Sequence, residues 1–358
     1  MASTSSKFFQ RAIQRRPVAS LSAVAVTGTI GYASFTEYRA ERDERLYTQQ
    51  QQVETTPIPT LPRNYNWDAI HDYWSIRPLS TAARLTEIST ELFPLFFKYI
   101  FDFYIMEAES QETLREHAKR WRDALTKLGP CWVKIGQQLS IRPDLCAPVV
   151  LEELQKLCDA VEPVSDAEAM QVLRNELGQE PEEAFDNLRL VASASLGQVY
   201  KGYIKGTKTE VAVKIQRPGM LQAFSKDLFL LQLWGIFMDG WTSLITHQQP
   251  YHKEFLRNYA HGSYGELDYE LEAKNQMQFQ HELKIRNCPV DVPRVYTENT
   301  TRRVLTTQWI DGIRLSDSSP ETIRRLIPVG VELFLCQLLD IGAFHGKQGV
   351  DTSNVGCC

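Results

Sequence analysis

Near Leu188 the spacing of apolar residues changes period, and that change limits the fold more than any other feature of the chain. Upstream, over residues 68–160, apolar positions recur every three to four residues. Residues 82–106 carry Leu85, Ile88, Leu92, Phe96, Phe97, Ile100 and Phe103, the broad stripe of an amphipathic helix. Residues 112–127 form a second helical pattern, stopped by Gly129-Pro130. Residues 132–140 form a third, closed by Arg142-Pro143, and residues 149–158 a fourth. Downstream, residues 188–191, 198–204 and 211–216 are short, rich in branched side chains and separated by turn residues such as Gly206, Thr207 and Lys208. That pattern predicts three antiparallel strands. Residues 294–295 and 303–309 read as two more. Helical character fills residues 220–280, and residues 322–344 read as a long apolar helix. The fold class is therefore α+β: a five-stranded antiparallel sheet plus an inserted helix, preceded by a helical region and followed by the start of another.

A chain of 358 residues with 43% apolar and 23% charged content has enough material for one large core or two smaller ones. Its net charge of -5 supplies no global basic field, so no nucleic-acid partner is expected. None of the seven cysteines are spaced C-x-x-C, and no histidine pair accompanies them. Buried free thiols in a reducing compartment are expected rather than a zinc site.

The first 36 residues contain Lys7, Arg11, Arg15 and Arg16, several hydroxyl residues, and no acid before Glu37. That makeup is an organellar targeting segment. Residues 18–35 are mostly apolar, of marginal length for spanning a bilayer. A cleaved transit segment, a membrane anchor after a presequence, and a signal core for a complex plastid all fit them. Residues 37–66 form a linker with glutamines and a cluster of Pro57, Pro59 and Pro62, and folded structure is expected from about Trp67.

Four short motifs carry chemistry. Val211-Ala212-Val213-Lys214 places a lysine on a strand among apolar neighbours, where its charge needs a partner. Facing a cleft it can bridge nucleotide phosphates; on a sheet edge it would merely be solvated. Ala192, Ser193, Ala194, Ser195, Leu196 and Gly197 join two strands, and small side chains let backbone amides approach phosphate oxygens. Glu266-Leu267-Asp268 opens an acidic stretch running to Glu272. On one helix Glu266, Tyr269 and Ala273 would share a face, with Asp268 and Glu272 on the next. Such a run can pair with Lys214 or reach a metal ion, or be a solvated helix face. Lys134-Ile135-Gly136-Gln137 puts a glycine inside a helix, at about 1 kcal/mol relative to alanine, which points to a close approach.

In this order, the alanine-rich loop, the V-A-V-K strand, the E-x-D helix and the upstream K-x-G-Q resemble the UbiB-like atypical kinases, also called aarF-domain or activity-of-bc1-complex kinases. Leu128-Gly129-Pro130 and the run from Thr307 through Gln308, Trp309 and Ile310 to Asp311-Gly312 look similar too, and the resemblance covers residues 67–345. It implies a protein-kinase-like small lobe at 188–312, a family-specific helical extension at 67–187 and the start of a large lobe at 313–345. Lys214 would contact ATP phosphates and pair with Glu272. Ala192 to Gly197 would cover the phosphates, and Gln308, Trp309 and Ile310 would meet adenine as the hinge. Glu266 and Asp268 would sit near a Mg2+ ion, and Lys134, Gly136 and Gln137 would lie over the active site. The family is thought to act as an ATPase or small-molecule kinase in prenyl-quinone and other isoprenoid-lipid metabolism, with organellar membrane, prenyl lipid and biosynthetic enzymes as partners. Residues 72–102, with Trp74 and Arg77-Pro78, look more like plastid members than other branches of the family.

The chain departs from that family after Gly342-Ala343-Phe344-His345. Members continue with aspartate and P-H-P-G-N, and later D-F-G. Here residues 346–358 run on without them, and neither Asp351 nor Asn354 has matching neighbours. The expectation is an incomplete copy whose catalytic loop is missing, with a pseudokinase scaffold that binds lipid or biosynthetic proteins as the alternative. A prenylation signal at Cys357-Cys358 is discounted with the tail.

Overall fold

The computed structural model describes residues 59–106, 110–158, 163–246, 249–313 and 315–341. The targeting segment, most of the linker and the tail beyond Ile341 lie outside these residues. The helical region opens with α1 (Trp67–Ser75), capped by the Asn66 side chain at its first amides. It continues through α2 (Pro78–Ile100), α3 (Gln111–Leu128), α4 (Pro130–Ser140) and α5 (Pro148–Gln155). Gly129 joins α3 to α4 at φ +96°, a conformation that favours glycine, and Pro130 starts the next helix where its missing N–H is harmless. A capping box between Ser165 and Glu168 opens α6 (Asp166–Leu177), and a left-handed Gly178 closes it.

After a single turn, α7 (Pro181–Ala184), the chain enters the sheet: β1 (Phe185–Ser193), β2 (Gly197–Ile204), β3 (Glu210–Gln216) and, much later, β4 (Val304–Gln308). Their order in space is β1-β2-β3-β4, antiparallel throughout. The sheet thus has four strands among the described residues, not five. Residues 294–295 reach β4 only as an isolated bridge between Val295 and Thr307. Pro293 cannot donate to a ladder, and the chain turns into a 3-10 turn at Thr297–Asn299 before pairing can extend.

Strand alternation sorts the two faces. Tyr200, Val211, Val213, Ile215 and Val304 are buried against Ala169, Val172 and Leu173 of α6. The register pairs Val199 with Lys214 and Lys214 with Leu305, so these three share the opposite face. Three helices fill the gap between β3 and β4: α8 (Met220–Ile245), α9 (His252–Gly265) and α10 (Tyr269–Ile285). Tyr269 and Ala273 of α10 pack with Leu305 and Val295, which brings α10 against the Lys214 face. Ile70, Trp74 and Cys131 of the helical region share one core with Leu196, Phe224, Leu228, Tyr264 and Leu267. α11 (Pro320–Leu335) follows the sheet and leads into a wider turn at Cys336–Ile341.

Candidate nucleotide site

Lys214 projects from β3 toward α10, where its Nζ lies 2.9 and 3.0 Å from the two carboxylate oxygens of Glu272. The same ammonium sits 4.6 Å from the centre of the Tyr269 ring. The pair is part-open, the side chains being 18% and 31% exposed. Beside it, Val199 and Ala212 form an apolar floor on the same face.

The loop that follows β1 is tight. The Ala194 amide donates to the Gly197 carbonyl at 2.8 Å, and Leu196 anchors the loop in the core with Leu267. Ser193, Ala194 and Ser195 are half-buried, and Ala192 is exposed at the strand end. Gly197 has to be glycine here. A Cβ at that position would lie 2.6 Å from the Ile215 carbonyl oxygen and 2.7 Å from the Tyr269 hydroxyl. Arg217 braces the loop from beneath: its Nε donates to the Ala194 carbonyl at 3.1 Å and its other guanidinium nitrogen to Ser193 Oγ at 2.8 Å. No local pattern in the sequence singles out Arg217, whose partners lie more than twenty positions earlier.

Glu266 and Asp268 do not lie on one helix. Glu266 ends α9 and Asp268 caps α10, so the acidic run is broken between them. The short Asp268 side chain competes for backbone N–H groups, accepting from Glu270 at 3.1 Å and Leu271 at 3.2 Å, which favours a new helix start over a continuous helix. Its other oxygen accepts from Arg63 Nε at 3.0 Å. Arg63 also reaches Glu270, and the preceding Pro62 carbonyl accepts from the Tyr264 hydroxyl, so residues 61–65 form a strap across the α9–α10 junction.

Glu266 meets Lys134 of the K-x-G-Q motif at 2.5 Å, with both side chains nearly buried at 13% and 11% exposure. Burial pushes the Glu266 carboxyl above the usual carboxylate range even though Lys134 and Lys214 both favour its charge and Glu272 opposes it. Gly136 and Gln137 serve the helix's other side. A Cβ on Gly136 would lie 2.3 Å from Leu157 Cδ1, and Gln137 Nε2 donates to the Leu157 carbonyl at 3.2 Å. The K-x-G-Q helix is thus locked onto α5's end while its lysine reaches the junction next to Lys214.

Each carboxylate expected near a metal is therefore already engaged, and among the described residues no three His, Cys, Asp or Glu side chains gather as a metal site. Mg2+ is commonly held by one or two carboxylates together with nucleotide phosphates and water, and Glu266 and Asp268, the carboxylates expected there, are each paired with a cation here. At the hinge, the Gln308 amide donates to the Arg294 carbonyl at 2.7 Å and the Trp309 amide to the Glu210 carbonyl at 3.1 Å. Both amides are thus engaged within the protein, and Trp309 and Ile310 lie just past the end of β4. The Trp309 ring instead carries Lys201 Nζ at 4.6 Å.

A four-stranded antiparallel sheet with a lysine–glutamate pair bridging a central strand and an inserted helix is the layout of a kinase-like small lobe. The comparisons make the class specific: residues 156–351 match the ABC1 atypical kinase-like domain, and the chain belongs to that family. It is 36% identical over 242 residues to the protein Activity of bc1 Complex Kinase 3, chloroplastic, of Arabidopsis thaliana, covering 66% of this chain and 34% of that one. It is 31% identical over 331 residues to Activity of bc1 Complex Kinase 8, chloroplastic, of the same plant, covering 86% and 41%. To the probable protein kinase UbiB of Cellvibrio japonicus it is 33% identical over 238 residues, covering 64% and 42%. The chain spans a third to a half of the length of these relatives.

Proposed function

We propose that this chain holds ATP on the Lys214 face of its sheet, as the nucleotide-binding part of an atypical kinase or ATPase that serves prenyl-quinone or other isoprenoid-lipid metabolism in a plastid, in association with a membrane. The observation that carries the reading is the Lys214–Glu272 pair, joined across 58 positions beside a loop of small residues. Glu272 holds the ammonium in place, and its part-open setting lets Lys214 turn to a phosphate. Arg217 keeps the loop close so that its amides can approach the phosphate oxygens, while Val199 and Ala212 offer adenine a flat apolar surface. The family membership and the relatives named as chloroplastic support the kinase-like and plastid parts. The helical extension reaches the cleft through Lys134, which favours a small acceptor or water over a protein segment as the recipient of a phosphoryl group.

A second reading has its own support. Glu266 and Asp268 are already paired with Lys134 and Arg63, an arrangement that suits a scaffold as well as a phosphoryl-transfer site. Titration with a fluorescent adenine nucleotide, with and without Mg2+, separates the two. Charge-assisted hydrogen bonds contribute about 1.5–3 kcal/mol, so Lys214→Ala is expected to weaken binding about tenfold or more. No saturable binding, or binding unchanged by Lys214→Ala, would leave the scaffold as the function.

A further inference from the structure

α8 is the one helix among the described residues long and apolar enough to cross a bilayer, with a mean hydropathy of 1.4 over an 18-residue window, yet only 22% of that window is buried in the protein. A helix that is apolar all round needs cover on every side. Its first half has that cover: Phe224, Leu228 and Phe229 lie in the core with Ala260 and Tyr264 of α9. Gly235 marks the closest contact with α9, where a Cβ would lie 2.7 Å from Leu256 Cδ1. Past it the cover is one-sided: Met238, Trp241 and Thr242 stay half-buried, while Ile236, Phe237, Leu244 and Ile245 are exposed, as are Tyr251 just before α9 and Phe255 within it, the last two at 57% and 62%. At 100° per residue the four α8 side chains spread over roughly half the helix circumference, along about 15 Å of axis.

Between Leu228 and Thr246 the chain has one ionisable side chain, Asp239. That carboxylate is turned inward. It accepts from the backbone amides of Tyr251, His252 and Lys253 at 3.0, 2.8 and 2.9 Å and lies 2.9 Å from His252 Nδ1. The second half of α8 therefore presents no charge of its own, the exposed Lys253 and Glu254 beside Phe255 being left to meet the headgroup layer, while Trp234 stands half-exposed before Gly235. A protein partner or a second copy covers one side of such an end. Hydrocarbon covers apolar surface in whatever direction it faces, and indole rings favour the water boundary.

We propose that the second half of α8 and the first turn of α9 dip into the interfacial layer of a bilayer, with Phe237, Leu244, Ile245 and Phe255 on the acyl side. The first half of α8 stays in the protein core, so the helix enters the layer without crossing it, to a depth of about 5–10 Å as for other interfacial helices. The proposal rests on the membrane-associated reading above and assigns it a surface.

The test uses the full chain with a genetically encoded environment-sensitive fluorophore at position 244, and the same fluorophore at position 207 in the exposed β2–β3 turn. It is mixed with phosphatidylcholine vesicles, alone and with one third phosphatidylglycerol. The expected result is flotation with the vesicles and a blue shift at 244 but not at 207. Phe237→Glu with Leu244→Glu, assayed by flotation, is expected to lower vesicle partitioning about tenfold or more with the unfolding temperature unchanged. Flotation with position 244 still in water would overturn the proposed surface while leaving membrane association standing. A blue shift that grows with protein concentration and needs no vesicles would show a second copy covering the hairpin, which also overturns it. Absence of flotation removes both readings.

Discussion

Lys214 with Glu272 on the sheet, and Lys134 with Glu266 where the helical extension meets the α9–α10 junction, are the same chemical pair in two settings. The first is part-open, at 18% and 31% exposure; the second is nearly closed, at 11% and 13%. Water screens the first pair, and either partner can turn to another group at little cost. The second pair has been taken out of water, so each charge depends on the other. One lysine is placed to exchange ligands, the other to hold two elements together. Each pair also has a close-packed glycine near it, Gly197 against a carbonyl and a hydroxyl, and Gly136 against leucine methyls.

The contrast can be broken in five places. Lys134→Met leaves Glu266 buried without its partner and is expected to cost about 3–5 kcal/mol in chemical denaturation. Adding Glu266→Gln should recover much of that loss; a double variant as unstable as the single one would show that the pair is not what matters. Gly197→Ala follows at about 3 kcal/mol, because backbone must move to admit the new methyl, and nucleotide affinity should fall with it. The third test is pH. Because burial raises the Glu266 carboxyl above its usual range, the folded chain holds that proton more tightly than the unfolded one. Its contribution is fully present below the unfolded-state value and is lost as pH rises through the folded-state value, by at most about 1.4 kcal/mol per pH unit. Asp227, also raised by burial, acts in the same direction. Denaturation curves across the weakly acidic range should therefore fall less steeply for Glu266→Gln than for the unaltered chain. Gly136→Ala comes fourth, at about 1 kcal/mol, since the Leu157 and Leu125 methyls can rotate away and alanine favours helix. If it proves worse than Gly197→Ala, the two regions are not packed as differently as their contacts imply. Smallest is the stability change for Lys214→Met, below about 1 kcal/mol; a large loss would mean that this pair too holds the fold.

The two strands around Lys214 could be read from the residues to within one position at either end, 198–204 and 211–216 against Gly197–Ile204 and Glu210–Gln216. Both are short runs of branched residues between turn formers, and hairpin contacts are local. The expected fifth strand failed because its neighbours, a proline and a 3-10 turn, limited it to a single bridge. α6 was not read, although Ser165 and Glu168 form a capping box at its start. The acidic run was legible as charge but not as geometry: Asp268 caps a new helix there, and the Leu267 carbonyl at the break accepts from Gln216 Nε2 at 3.0 Å, 51 positions away. The same distance problem hid Arg217 and Arg63. An arginine carries no local sign of which carbonyl or carboxylate it will meet, whereas Lys134 drew notice only through the glycine beside it.

The strap at residues 61–65 sets a limit on where the chain can be shortened from its N-terminal side. A cut between Arg63 and Trp67 would release the cation that holds Asp268 and the carbonyl that satisfies Tyr264. Any proteolytic product that keeps the α9–α10 junction as it is must therefore retain Leu61, Pro62 and Arg63.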